Sequence, residues 1–263
     1  MSKKDLMSYE EYGQTDFPSP YLYHLEQSGQ HLYFFGSHHT YDPEDIEITK
    51  LEECWSDFTK QTKENERIVL VEGGVRSISE TKEVTIKEGG EVSYIAFLAK
   101  QNSINTESPE PPQSYWYDTL AEKFSRDTVA YYDFARICYQ WNKQGKHISF
   151  EEYISSFLSS NAKESGWTDF DFSLIHMKAI HQELFQKEFN PEDEEFFYDI
   201  INPTTDFSII NKISLFDDEG VRDGYILKEV IRHWNTGKSL FIIFGQQHAV
   251  IMEGALRNLV SGE

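Results

Sequence analysis

Apolar and polar positions near the start of the chain predict a β-hairpin. The segments 21–25 and 31–35 are rich in Tyr, Leu and Phe, and they flank the polar stretch 26–30, which contains Gly29. Two such runs joined by a short glycine-containing loop are typical of a hairpin. The second strand runs directly into the sequence Gly-Ser-His-His, which ends at His39.

A helix and a buried strand are predicted next. Asp42 and Pro43 suit the start of a helix, and apolar residues recur at spacings of three and four between positions 48 and 58. The run 68–71 is apolar without alternation, which is typical of a strand buried on both faces of a parallel sheet. This strand is expected to end at Glu72.

The same order of elements then repeats more weakly. A second helix is predicted to start at Glu91, after two glycines, and 103–106 is predicted to be a third strand that ends before Pro111. The predicted strand starts recur about every 36 residues in this part of the chain, which is the size of a βαβ unit.

The middle of the chain has a different pattern. Residues from about 115 to 236 are predicted to be mostly helical, and the apolar run 239–244 is predicted to be a last strand, followed by a helix. We therefore expect an α/β fold with a mostly parallel central sheet, an N-terminal β-hairpin and a large helical insertion before the last strand. In this interpretation a single α/β domain covers 19–263, with a sheet core of about 19–112 and 237–263 and a helical insertion or lid of about 113–236.

Composition excludes several classes of protein. With 45 acidic and 24 basic residues the formal net charge is −21, which opposes binding to nucleic acid or to an anionic membrane. No apolar run approaches the length of a membrane span, and the start lacks the apolar region of a secretory signal. Two cysteines cannot form a disulfide framework. We expect a soluble, cytoplasmic, acidic protein.

Polar residues with catalytic chemistry follow the predicted strands. The first and last strands each end in the pattern Gly-x-x-His, at His39 and His248, and the second ends at Glu72. The carboxyl ends of parallel strands lie at one edge of a sheet, where ligands bind in open α/β folds. The two histidines, 209 positions apart, are therefore expected to meet.

These paired motifs resemble the Tiki, TraB and PrgY superfamily, which is related to erythromycin esterases and to ChaN-like haem-binding proteins. The resemblance extends over 31–260 and rests on scattered motifs. It implies an α/β fold with helices inserted before the last strand. The matching positions are Gly36 with His39, Glu72, Glu91, Glu110, Arg222, and Gly245 with His248.

The three branches imply different chemistry. The Tiki branch implies metal-dependent peptide hydrolysis, the erythromycin esterases imply activation of water by a histidine without metal, and the ChaN-like proteins imply haem binding without hydrolysis. The chain departs from the Tiki and TraB pattern because no membrane anchor is expected. We therefore expect a peptide or a small-molecule ester as substrate, with no nucleic acid or membrane partner.

A metal-dependent hydrolase is the leading hypothesis. His39 and His248 would supply two nitrogen ligands to a divalent ion, with Glu110 as a further ligand. Glu72 would act as a ligand or general base, and Arg222 would stabilise developing negative charge or bind a substrate carboxylate. The Tiki resemblance suggests Mn²⁺ or Co²⁺, and nitrogen and oxygen ligands equally allow Zn²⁺.

Several assignments have alternatives that the sequence leaves open. Glu91, the third catalytic candidate, could simply favour the positive end of its helix. Arg222 could pair with Asp218, and Glu107 is close enough to Glu110 to replace it. At the level of function, the alternatives are a metal-independent histidine-based esterase and a non-catalytic protein that binds haem or peptide.

Overall fold

The computed structural model describes residues 6–74, 78–146 and 148–262. Its sheet has five strands in the order β1-β2-β5-β3-β4. Strand β1 pairs antiparallel with β2, and the other neighbours pair in parallel. This arrangement confirms the predicted α/β class and the N-terminal hairpin. The strands are β1 (Tyr21–Gln27), β2 (Gln30–Ser37), β3 (Arg67–Val71), β4 (Asn105–Glu107) and β5 (Ser239–Gly245).

Helices cover both faces of this sheet. One face packs apolar residues against α2 and α3, and the other packs against the two helices that flank β5. Every residue of β5 is buried, because this strand lies at the centre of the sheet and is covered on both sides. The helices of this part are α1 (Tyr9–Gly13), α2 (Ile46–Gln61), α3 (Lys82–Gln101), α10 (Arg222–Trp234) and α11 (Gln246–Ser261).

The helical insertion before the last strand is also confirmed. It contains α4 (Gln113–Ala121), α5 (Arg126–Gln140), α6 (Phe150–Glu164), α7 (Leu174–Phe185), α8 (Glu194–Ile201) and α9 (Ile209–Phe216), with π-helical turns at Trp141–Gly145 and Asp217–Val221. The chain divides into two compact units, Met1–Glu110 with Asp223–Glu263, and Pro111–Arg222. The second unit has its own aromatic-rich core.

Some element boundaries differ from the predictions. Helix α2 begins at Ile46 rather than near Pro43, because the Asp45 side chain accepts the cap hydrogen bond while Asp42 bonds the backbone of Glu44 in the preceding turn. Helix α3 begins well before Glu91, and the predicted start coincides with a break inside it. Before the hairpin, the sequence pattern predicted no helix, and the short helix α1 forms there behind a capping box.

None of the helices that the structure describes combines the length and the apolar character needed to cross a membrane.

Candidate functional site

Two predicted histidines and a predicted glutamate come together at one edge of the sheet. They follow β2, β3 and β5, which are neighbours in the sheet. Glu72 lies between the two rings, with its Oε2 3.6 Å from Nε2 of His39 and its Oε1 3.6 Å from Nε2 of His248. All three residues belong to the sheet-containing unit.

A buried aspartate anchors His248. The ring lies in the first turn of α11 and its Nδ1 is 2.6 Å from Oδ1 of Asp223, which is fully buried. Within the described chain no hydrogen bond reaches the other oxygen of Asp223. A carboxylate at Nδ1 fixes the tautomer, so that Nε2, the nitrogen directed at Glu72, is the basic one.

A second carboxylate anchors His39 in the same way. Nδ1 of His39 is 2.9 Å from Oε1 of Glu91, a residue with only 1% of its surface exposed. The backbone of His39 is left-handed, with φ +64°, a conformation that costs about 1 kcal/mol or more in a residue other than glycine. Two hydrogen bonds oppose this strain: N–H of His39 donates to the Ser37 hydroxyl, and N–H of Thr40 donates to Glu91.

A break in α3 brings Glu91 to this position. Gly90 has φ +71°, which interrupts the helix, and N–H of Glu91 donates to the carbonyl of Thr40 at 3.2 Å. A Cβ atom at position 90 would lie 3.1 Å from that same carbonyl oxygen. Glycine therefore serves both the conformation and the close approach of the two segments.

The two glycines of the Gly-x-x-His patterns have different roles. A Cβ atom on Gly245 would lie 3.1 Å from Nε2 of His39 and 3.5 Å from Oε2 of Glu72, so this glycine leaves room for the site. Its N–H also donates to Oε2 of Glu72 at 2.6 Å, which fixes the carboxylate. A Cβ atom on Gly36 would lie 2.7 Å from Cβ of Ala249, so this glycine permits α11 to pack on β2.

The other predicted acidic ligand lies beside this cluster. Oε1 of Glu110 accepts a hydrogen bond from N–H of Gly73, the residue that follows Glu72, at 3.3 Å. Glu107, the alternative to Glu110, has its Oε2 3.3 Å from Nε2 of His233. Glu110 thus reaches the neighbourhood of Glu72, and its role as a ligand stays a prediction.

Arg222 is the first residue of α10 and the last residue of the helical unit. In that unit burial, the largest cause, raises the pKa of the Asp217 carboxyl, and the guanidinium groups of Arg136 and Arg222 oppose this shift. The contribution of Arg222 to catalysis stays a prediction.

The sequence interpretation missed three residues that shape the site: Ser37, Glu47 and Asp223. Ser37 lies inside the first Gly-x-x-His pattern, and Asp223 directly follows Arg222 in the sequence. Glu47 carried no signal, since an acidic residue in the first turn of a helix is ordinary. Its side chain is nevertheless fully buried against His38 and Ser37.

Neither cysteine supplies a nucleophile. Both thiols are free. Burial raises the pKa of Cys54 to about 12 and the pKa of Cys138 well above its usual range. Since the thiolate is the reactive form, both side chains act as apolar packing residues.

The side chains of His39, Glu72 and His248 are of the types that bind divalent ions. Two imidazole nitrogens and a carboxylate are ligands that Mn²⁺, Co²⁺ and Zn²⁺ accept, and metal-bound histidines usually have their other nitrogen held by a carboxylate or carbonyl. The two rings each lie 3.6 Å from a different oxygen of Glu72. Across 6–74, 78–146 and 148–262, however, no group of three or more His, Cys, Asp or Glu residues is placed so that it could hold a metal ion.

No family model, curated protein or solved structure matches the chain. The resemblance to the Tiki, TraB and PrgY superfamily therefore rests on the residues named above.

Proposed function

We propose that this protein is a hydrolase whose reaction centre is Glu72 with His39 and His248. One observation carries the proposal: a carboxylate lies between two imidazoles, and each imidazole is held at Nδ1 by its own buried carboxylate. This arrangement directs the Nε2 atoms of two anchored rings at one carboxylate, where one ring can act as base and the other as acid.

The two rings divide the work of acid–base catalysis. His248, which is 9% exposed at its side chain, accepts the proton of the attacking water at Nε2, and Asp223 stabilises the imidazolium that forms. Glu72 orients the water between the rings. His39 starts as an imidazolium, donates its Nε2 proton to the leaving group and becomes neutral while Glu91 still holds Nδ1. His248 then releases its proton to solvent, and His39 takes one up. Positioned acid–base groups contribute about 10²- to 10⁴-fold each.

The exposure of the three groups supports this division. The His39 side chain is 48% exposed and gives a substrate access, whereas Glu72 is only 14% exposed. A partly buried carboxylate between two imidazoles acts in a medium of lower dielectric constant, where electrostatic interactions are stronger than in water. These acid and base groups suit the attack of water on the carbonyl carbon of a peptide or an ester.

A metal-dependent version is the second candidate, and the carboxylate anchor on each imidazole favours it. In that version His39, His248 and Glu72 hold the ion, with Glu110 as the predicted fourth ligand. A bound divalent ion supplies an acidified water. Asp223 and Glu91 would then orient the ligating rings rather than stabilise an imidazolium.

Hydrolysis assays test the proposal and separate the two versions. The protein would be tested on p-nitrophenyl esters and fluorogenic peptides, first after chelation and then with Mn²⁺, Co²⁺ or Zn²⁺ added back. We expect His39→Asn and His248→Asn each to lose about 10²-fold or more in kcat/KM. His24→Asn, an exposed histidine on β1, is the matched control. Full turnover after chelation would reject the metal version, and unchanged turnover in both site variants would reject the proposal.

A further inference from the structure

The hydroxyl of Ser37 lies among three groups behind His39. Its Oγ is 2.5 Å from Oε1 of Glu47 and 2.7 Å from Oε1 of Glu91. The N–H of His39 donates to the same oxygen at 2.8 Å. All three distances are those of strong hydrogen bonds, and both glutamates are buried.

The hydrogen-bonding capacity of the Ser37 hydroxyl determines how many protons its two glutamate contacts need. A hydroxyl has one hydrogen to donate and two lone pairs that accept. One lone pair of Ser37 accepts from N–H of His39, and its single hydrogen can go to only one glutamate. The contact with the other glutamate is a hydrogen bond only if that carboxyl group donates. One of Glu47 and Glu91 therefore carries a proton.

Both oxygens of Glu91 already face hydrogen-bond donors. Its Oε1 faces Nδ1 of His39 and its Oε2 accepts from N–H of Thr40, so it is surrounded by donors. In the proposed function His39 starts as a charged ring, which favours a carboxylate partner at Nδ1.

The surroundings of Glu47 suit the protonated form. The side chain has no exposed surface, and burial, the largest cause, raises its pKa above the ordinary value. The hydrogen bonds from Ser37 and the His38 backbone and the charge of the His38 ring oppose this shift, and the nearby Glu91 adds to it. One oxygen, Oε2, faces the backbone N–H of His38 at 3.1 Å and Nδ1 of the same ring at 2.5 Å. The other oxygen faces Ser37, so a proton on it completes the hydrogen bonds of the cluster.

We propose that Glu47 is a positioning residue that keeps a proton and donates it to Ser37. Ser37 then donates to Glu91, which orients His39. The protonation of Glu47 is independent of the reaction, whereas its effect on His39 rests on the proposed function. A neutral Glu47 leaves one negative charge in the cluster, where two buried carboxylates in contact would repel each other.

A difference infrared spectrum tests the protonation without a substrate. Wild-type protein minus Glu47→Gln is expected to show loss of the carbonyl stretch of a protonated carboxylic acid. The control is Glu52→Gln, whose carboxylate is 2.7 Å from Nζ of Lys82 and should give loss of ionised carboxylate bands alone. Loss of only ionised bands in Glu47→Gln, or loss of the acid band in Glu91→Gln instead, would overturn the proposal.

Should Glu47→Gln fail to fold, Ser37→Ala provides a second measurement. This variant removes the acceptor of the proposed hydrogen bond, so the frequency of the acid carbonyl band is expected to shift. An unshifted band would mean that Glu47 does not donate to Ser37, which contradicts the proposal.

Hydrolysis of p-nitrophenyl acetate then tests the positioning role. A carboxamide at position 47 can donate to Ser37 and accept from N–H of His38, so Glu47→Gln should keep kcat within a few-fold of the wild type. Glu47→Ala should lower kcat about 10- to 100-fold with little change in KM. Equal losses in both variants would refute the role of the proton. Absence of any hydrolysis in the wild type would refute the proposed function and leave the infrared result standing.

Discussion

A methyl group at position 245 would enter the space that the site uses. It would lie 3.1 Å from Nε2 of His39, so the ring must move by a few tenths of an ångström. The backbone of Gly245, with φ −52° and ψ 146°, is accessible to alanine. We therefore expect Gly245→Ala to fold normally and to lose about tenfold or more in kcat/KM, because small misplacements of catalytic groups are costly.

The matched control for this prediction is Gly13→Ala. A Cβ atom there has no atom within 4 Å, so hydrolysis should be unchanged. Wild-type turnover in Gly245→Ala, measured together with its melting temperature, would mean that His39 does not act where the structure places it.

The glycine of the first motif should behave in the opposite way. At Gly36 a Cβ atom would lie 2.7 Å from Cβ of Ala249 and 2.9 Å from the carbonyl oxygen of Tyr21. Both neighbours belong to packed elements, so Gly36→Ala is expected to lower the free energy of unfolding by about 1–3 kcal/mol or more. Denaturant unfolding followed by circular dichroism measures this change, and an unshifted midpoint would contradict it.

Sequence reasoning found the residues at strand ends and missed those brought in by packing. His39, Glu72 and His248 could be placed together because parallel strands end at one edge of a sheet. Asp223 follows no strand, and its contact with His248 depends on how α10 packs beside α11, which no local pattern encodes. Ser37 and Glu47 were missed because a serine at a strand end and a glutamate in the first turn of a helix are ordinary.

At the scale of elements, helix starts were the least predictable feature. Asp42 and Asp45 are both good capping residues, and only the path of the chain after β2 determines which one caps α2. In α3 the glycine pair at 89–90 suggested a start at Glu91, whereas the helix begins earlier and breaks at Gly90. A helical segment does resume at Glu91 after this break, as predicted, and the turns before Gly90 were missed.

The start of α8 gives a prediction about pH. Asp193 caps this helix by accepting from N–H of Phe196, and its other oxygen is 2.7 Å from Nζ of Lys187. The hydrogen bond from Lys187 is the largest cause that lowers the pKa of Asp193 below its ordinary value of 3.8. A lowered pKa in the folded state means that this stabilisation is present above about pH 4 and is lost as the pH falls further.

Replacement of Asp193 by alanine should therefore cost about 1 kcal/mol of unfolding free energy at pH 7, and less at pH 3. Asp193→Asn is the control, because asparagine keeps a capping oxygen and loses only the ionic contact. Urea unfolding at the two pH values measures the difference. A cost that grows as the pH falls would contradict the assignment.

At the scale of the whole molecule, the helical unit should fold by itself. Residues 111–222 are continuous in sequence and have their own core, in which Tyr131, Phe134 and Phe197 are fully buried. The isolated segment is expected to be helical and to unfold cooperatively in a circular dichroism melt. A non-cooperative melt would show that its core depends on the rest of the chain.

The sheet unit should not fold from its N-terminal part alone. Strand β5 lies between β2 and β3 at the centre of the sheet, yet it comes after the insertion in the chain. The βαβ spacing and the apolar run 239–244 predicted an α/β sheet whose last strand follows the helical insertion in the chain. The order of the strands was beyond prediction, because it depends on which edges pair rather than on any local pattern.

The central claim is that His39 and His248 act as one unit around Glu72. A double-mutant cycle on ester and peptide hydrolysis tests it most directly, with His39→Asn, His248→Asn and the double variant compared in kcat/KM. Residues of one reaction centre are strongly non-additive, so the double variant should be barely slower than the slower single variant. Multiplicative losses, or wild-type rates in either single variant, would contradict the account.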